Sequence, residues 1–247
     1  MLNLTEYRKR PKLLSDYLPW GFLVGPGIIL NKDGSFLRLA RYRGPDLESA
    51  TEAELIAVTA RINNVLKRFG SGWALFFEAR RKQASDYPLS NFPDPVSLLV
   101  DEERRKSFVA EHGHFESAYT LGFCWLPPAE TQDKAGAYLV DRGDDARTTM
   151  DTWGFEWRDH FITETDRALD LLGNILPEVR FLNDGETLAH LHGTVSLKDH
   201  AVAVPAIPAY LDALLADTPF MGGMAPKLGD HHLRSVSVLG LPGVTMP

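Results

Sequence analysis

Two periods of apolar residues run along this chain, and the switches between them predict its elements. Leu55, Val58, Ile62, Val65 and Phe69 recur at spacings of three and four, the single stripe of an amphipathic helix. Ser49 stands three before Glu52, which predicts a capping box at its start, and Gly70 and Gly72 end it. Before it, residues 21–42 predict a β-hairpin. Ile28-Ile29-Leu30 is an apolar run, Asn31-Lys32-Asp33-Gly34 supplies turn chemistry, and Phe36-Leu37-Arg38-Leu39 begins the return, which Gly44-Pro45 breaks. After it, Trp73-Ala74-Leu75-Phe76-Phe77 is apolar on both faces, the pattern of a central buried strand. A charged helix is expected over Leu98–Val109. Residues 117–126 then alternate, with Tyr119, Leu121, Phe123 and Trp125 on one face and Ala118, Thr120, Gly122 and Cys124 on the other. The small face offers close approach to a helix, and Pro127-Pro128 stops the strand.

The second half is less regular. A weak helix and a polar loop near Arg142–Arg147 precede a helix over about 155–173, where Phe161, Thr165, Ala168, Leu169 and Leu172 share a face. Thr187–Leu191 and Tyr210–Leu215 predict short helices, four prolines from Pro205 to Pro226 mark loops, and Arg234–Leu239 predicts a last strand. The order of elements implies an α+β fold: a mostly antiparallel sheet with helices packed on one side, around a ferredoxin-like core. The expected division is an arm at 1–20, an α+β subdomain at 21–150 and a second, smaller α/β lobe at 151–247.

Composition narrows the function classes. A net charge of −7 over 247 residues does not suit a dedicated nucleic-acid binder, whose affinity comes from a basic surface. The single cysteine, Cys124, cannot form an internal disulfide and fits a reducing compartment. No apolar run approaches the length that spans a bilayer, so membrane contact is expected to be peripheral.

Catalytic motifs are sparse. A phosphate loop needs Gly-x-x-x-x-Gly-Lys-Ser/Thr, because consecutive backbone amides must cradle phosphate while Lys reaches its end. No Gly-Lys-Ser or Gly-Lys-Thr occurs; Gly222-Gly223 before Lys227 lacks the spacing, and Pro26 removes an amide from Gly25-Pro26-Gly27. Six of the eight histidines fall in pairs, His112/His114, His190/His192 and His231/His232, on expected loops and element ends. None forms His-Glu-x-x-His, so surface or core histidines are expected, and a small metalloenzyme using these pairs is the alternative. There is no Gly-x-Ser-x-Gly elbow, and Cys124 lies mid-strand like an inert thiol. No catalytic, cofactor or metal residue is assigned. The arm carries the one positive signal: Leu4, Tyr7, Arg8, Lys9, Arg10, Lys12 and Trp20 interleave cations with apolar and aromatic groups, which suits an anionic membrane surface or a partner.

Several uncommon strings, in order along nearly the whole chain, resemble a known family. Glu6-Tyr7-Arg8-Lys9-Arg10-Pro11, Leu30-Asn31-Lys32-Asp33-Gly34-Ser35-Phe36, Arg43-Gly44-Pro45-Asp46-Leu47, Gly70-Ser71-Gly72-Trp73-Ala74-Leu75 and Leu228-Gly229-Asp230-His231-His232-Leu233-Arg234 look like the TrbE family of conjugal-transfer ATPases, the VirB-type traffic ATPases of type IV secretion systems. The resemblance implies an N-terminal assembly region that docks on inner-membrane components of the secretion system, from the cytoplasmic side. It also implies a C-terminal RecA-like motor that binds ATP and Mg, and a hexamer once the motor is attached. Only the front of that pattern is matched, so ATP-contacting residues have no counterpart here and no cofactor is expected in these residues. The loop-like ending Gly240–Pro247 is expected to be a truncation before the motor.

Overall fold

A computed structural model describes residues 13–45, 49–84, 87–88, 90–111, 115–128 and 143–236, with backbone alone at 83 and 143–155. The chain forms two compact units: Met1–Ser35 with Asn183–Pro247, and Phe36–Leu182. The expected boundary near residue 150 differs from this division, since it falls inside a helix, α4, described below.

The larger unit has the predicted core. Strands β3 (Phe36–Arg43), β4 (Trp73–Gln83), β5 (Phe115–Trp125) and β6 (Glu178–Phe181) alternate with helices α2 (Glu52–Leu66), α3 (Pro95–Glu111) and α4 (Gly143–Gly173). All neighbours pair antiparallel, in the order β6-β3-β5-β4. This is the β-α-β-β-α-β arrangement of ferredoxin-like folds, with α3 inserted between the two middle strands.

The stripe read from sequence is the inward face of α2: Leu55, Val58 and Ile62 are half-buried and Val65 is buried. The cap lies two residues later than expected. Thr51 Oγ accepts the Glu54 amide at 3.4 Å, and Glu54 Oε2 accepts the Thr51 amide at 2.8 Å. These bonds, the backbone one foremost, hold the Glu54 carboxyl below its ordinary pKa.

Two expectations about faces are corrected. β4 is not central; it takes an edge, and Phe76 and Phe77 are 57% and 58% exposed. The helices also lie on the large face of β5, not on its small one. Phe161 of α4, fully buried, stacks on Phe36 at 5.7 Å and on Trp73 at 5.6 Å between centroids, while Trp157 meets Trp125 at 5.5 Å. Phe69, just beyond α2, packs on Trp73 and Phe123. On the small face, the space beside Gly122 is taken by Leu39 and Phe76 of the flanking strands, each within 3.3 Å of where a Cβ would stand.

Arg38 ties sheet to helix by polar bonds. Its Nη1 donates to Thr165 Oγ1 at 2.9 Å and to Asp166 Oδ1 at 2.6 Å, and its guanidinium lies 3.4 Å from the Phe181 ring centroid. α4 begins well before the expected 155, so the polar loop predicted at Arg142–Arg147 is helical from Gly143 on.

The other unit contains α1 (Leu14–Tyr17), β1 (Trp20–Gly25), β2 (Ile28–Asn31), α5 (Asp184–Ser196), α6 (Leu211–Leu215) and the small sheet β7 (Phe220–Met221), β8 (Lys227–Leu228) and β9 (His231–His232). β1 and β2 form a hairpin turning at Pro26-Gly27, one strand pair earlier than the sequence suggests. The Asn31–Ser35 turn has the expected chemistry: Gly34 holds φ +85°, and Asp33 Oδ1 accepts the Ser35 amide and hydroxyl at 3.0 and 2.7 Å. The described part of the expected last strand, Arg234–Val236, is irregular; its remainder lies outside the described residues.

Inside this unit Trp20, Ile28, Ile29, Leu188, Leu191 and Leu211 are buried. His192, 3% exposed, staples α5 to the segment after α6. Its Nε2 lies 3.1 Å from Asp217 Oδ2 and its Nδ1 3.1 Å from Ser196 Oγ. Partial burial pushes the Asp217 carboxyl up, but bonds from Thr218 and His192, with the charges of His192 and Lys198, outweigh it and leave the group below its ordinary pKa.

Two outcomes follow from this packing. Phe161→Ala removes the centre of the aromatic layer and is expected to destabilise the protein by about 3–5 kcal/mol, read from urea unfolding. A depressed folded pKa gives stability that is present above an ordinary carboxylate pKa of about 4 and lost as pH falls through the folded value. Asp217→Asn is therefore expected to lower the melting temperature at neutral pH and to flatten its fall at acid pH, checked by melting curves across pH.

Candidate functional site

Catalytic groups are poorly provided for among the described residues. No three His, Cys, Asp or Glu side chains converge as metal ligands there. His190 and His192 lie on α5, not on a loop. His192 is committed to Ser196 and Asp217, while His231 and His232 are exposed on β9; His112 and His114 lie outside the described residues. Ser196, His192 and Asp217 resemble a hydrolase relay in residue type only. Ser196 Oγ donates to the His192 carbonyl at 2.8 Å, accepts the Lys198 amide at 3.1 Å, and is buried. A pocket of about 200 Å³ between Leu23 and the Pro205–Ala209 segment is lined by apolar residues, with no side chain able to do chemistry.

Surfaces are more informative. α3 is inverted. It buries Asp101 and exposes Val96, Leu98, Leu99, Val100 and Val109, with Val96 at 68%. The inward side is held by polar bonds: Tyr87 Oη donates to Asp101 Oδ1 at 2.8 Å, Arg105 Nη2 reaches Asp101 Oδ2 at 3.4 Å, and Phe108 meets the Tyr87 ring edge-on at 5.6 Å. The Asp101 bond, with burial and the Asp101 charge, pushes the Tyr87 phenol up. Asp94 fixes the start of the helix, accepting the Ser97 amide and hydroxyl at 2.9 Å each; those bonds hold its carboxyl down. A helix anchored by an acid and showing its aliphatic residues to water presents a surface of the kind partners cover.

The outer ends of β4 and β5 are also unusual. On the helix side, Phe77, Phe115 and Tyr119 are exposed, and Arg81 lies 4.4 Å from the Phe115 ring centroid. Burial and the neighbouring Tyr119 raise the Tyr42 pKa there. On the opposite face the register places Arg41, Arg80 and Lys82 together with Glu78 and Glu116. Partial burial, reinforced by Arg80 and Arg41 and offset by Glu116, pushes the Lys82 ammonium down. From sequence, Arg80-Arg81-Lys82 reads only as a return to solvent. The exposure of Phe76 and Phe77 is hidden there by their place in an apolar run.

Of the arm residues, Leu4, Tyr7, Arg8, Lys9, Arg10 and Lys12 lie outside the described residues. Trp20 is 7% exposed, seated in β1 opposite Asn31, and belongs to the core of its unit rather than to an outer contact. No described helix is long and apolar enough to cross a membrane.

Comparison with known proteins identifies the lineage. A family model, the N-terminal domain of the type IV secretion system ATPase VirB4/TrbE, matches residues 27–133. Conjugal transfer protein TrbE of Rhizobium radiobacter is 32% identical across the whole of this chain, which spans 32% of that relative's length. A probable conjugal transfer protein TrbE of Sinorhizobium fredii (strain NBRC 101917 / NGR234), named as the first portion of a divided TrbE, is 36% identical over 148 residues, covering 58% of this chain and 99% of the relative. With nearly all of that second relative aligned, and the family model falling on the β2-to-β5 region, the chain belongs to the VirB4/TrbE family of type IV secretion proteins and corresponds to its N-terminal region.

Proposed function

We propose that these residues are the assembly and docking region of a conjugal-transfer type IV secretion ATPase, supporting pilus biogenesis and the transfer of DNA or protein. The region holds partners and does not hydrolyse ATP. ATP and Mg belong to a motor of the kind that longer relatives would carry after the matched portion. Its partners are inner-membrane components of the secretion apparatus, met from the cytoplasmic side, and the motor-bearing protein works as an oligomer, a hexamer by family resemblance. The N-terminal arm, through Leu4, Tyr7, Arg8, Lys9, Arg10 and Lys12, adds contact with anionic headgroups or with a partner beside the membrane.

The observation that carries the reading is α3. Its Val96, Leu99 and Val100 are exposed while its Asp101 is buried, which is costly for an isolated surface and sensible for one that another protein covers. The missing Gly-Lys-Ser/Thr loop supports the division of labour, since nothing else in the sequence offers consecutive amides and a lysine to a triphosphate.

Leu99→Asp combined with Val100→Asp is expected to cut co-purification with inner-membrane components of a conjugative donor by roughly tenfold, with an unchanged melting curve. Equal recovery would remove α3 from the proposal. Removal of residues 1–12 is expected to weaken the same association further, in a salt-dependent way. The purified chain is expected to release no phosphate from ATP above buffer, and turnover by it would overturn the non-catalytic assignment.

A further inference from the structure

β4 offers an interface that the docking reading does not use. β5 lies on one side of it, and among the described residues no strand lies on the other. The ladder to β5 runs from Trp73 opposite Trp125 to Gln83 opposite Phe115 without a register shift. Exposed edges are commonly blunted by a short strand, a bulge or a proline. β4 has eleven residues and, in Trp73–Gln83, no proline and no bulge. Ala74, Phe76, Phe77 and Ala79 along it are exposed. Its remaining defence is charge, and the charges are of both signs: Glu78 is followed by Arg80, Arg81 and Lys82.

We propose that this edge pairs antiparallel with the same edge of a second copy of the chain, with Ala79 opposite Ala79 of that copy. A two-fold axis normal to the sheet brings together residues of the same face, so each allowed register centres one residue on its own counterpart. Centring on Glu78 or on Arg80 sets like charges opposite each other, which opposes pairing. Centring on Phe77 sets Phe76 opposite Glu78 and Arg80 opposite Ala74. Centring on Ala79 sets Glu78 opposite Arg80 twice, Phe77 opposite Arg81 twice, and Phe76 opposite Lys82 twice. Glu78 and Arg80 already share a face and an ion pair at 3.1 Å within the strand, so the two copies close an alternating ring of four charges. Arg81 already lies against one aromatic ring, that of Phe115, and in this register gains a second, exposed one. Charge therefore selects a register on this edge rather than forbidding pairing.

The inference does not rest on the docking role, because its test uses the purified full chain with no secretion component present. Sedimentation velocity over a concentration series is expected to show a monomer–dimer equilibrium. Glu78→Arg and Arg80→Glu are each expected to weaken it by roughly tenfold, and the double exchange to restore it. In a Cys124→Ala background, Ala79→Cys is expected to cross-link as a dimer under mild oxidation, and Phe77→Cys is not. A chain monomeric at every concentration would overturn the proposal. So would a dimer that the double exchange fails to restore although its melting curve is normal, or one that cross-links through Phe77→Cys in place of Ala79→Cys. A strand from another protein as the true occupant would appear as the first of these outcomes.

Discussion

Phe161 is seated between Phe36 and Trp73, and the larger unit depends on that seat. The three rings belong to α4, β3 and β4, which are far apart in sequence, and they sit nearly parallel, at 25° and 20°. Trp125 of β5 stacks on Trp73 from the adjacent strand and receives Trp157 from the helix. Aromatic side chains bury much area at little cost in conformational freedom, so one layer fixes the helix over three strands at once. Arg38 then sets the helix position along the sheet, because its bonds to Thr165 and Asp166 are met only at one offset.

That layer also explains which elements of the fold are legible in the sequence. The α2 stripe and the two faces of β5 are, because both follow from a local period. The choice of face is not. Small residues at Gly122 suggest room for a helix, yet Leu39 and Phe76 from neighbouring strands fill it, and only the pairing partners reveal that. β4 is misplaced for a related reason. Five apolar residues resemble a buried strand, but they are one half of an eleven-residue strand whose other half carries Arg80, Arg81 and Lys82. The cap of α2 is missed by two residues because Ser49/Glu52 and Thr51/Glu54 offer the same spacing, and geometry chooses the second. The start of α4 carries no apolar stripe to announce it.

The candidate surface is less legible than the fold, and the reason is physical. A docking face is defined by apolar residues that fail to be buried, and the pattern that makes Val96, Leu99 and Val100 look like core is the same one that makes them adhesive. Sequence periodicity assigns such residues to an interior by default. Asp101 is the usable clue: a carboxylate directly after Leu98-Leu99-Val100, with Tyr87 and Arg105 able to satisfy it, turns the helix over.

The smaller unit is built from two stretches of chain that the larger one interrupts, Met1–Ser35 and Asn183–Pro247. On a ribosome the first stretch emerges about 150 residues ahead of the second, a delay of roughly 8–30 s at ~5–20 residues per second. The larger unit lies wholly within that interval and can fold before the smaller unit has all its pieces. Until α5 and α6 arrive, Ile28, Ile29 and Trp20 have no Leu188, Leu191 or Leu211 to cover them. Nascent chains of this protein thus carry a greasy, unfinished hairpin at their leading end, an obvious client for a ribosome-associated chaperone.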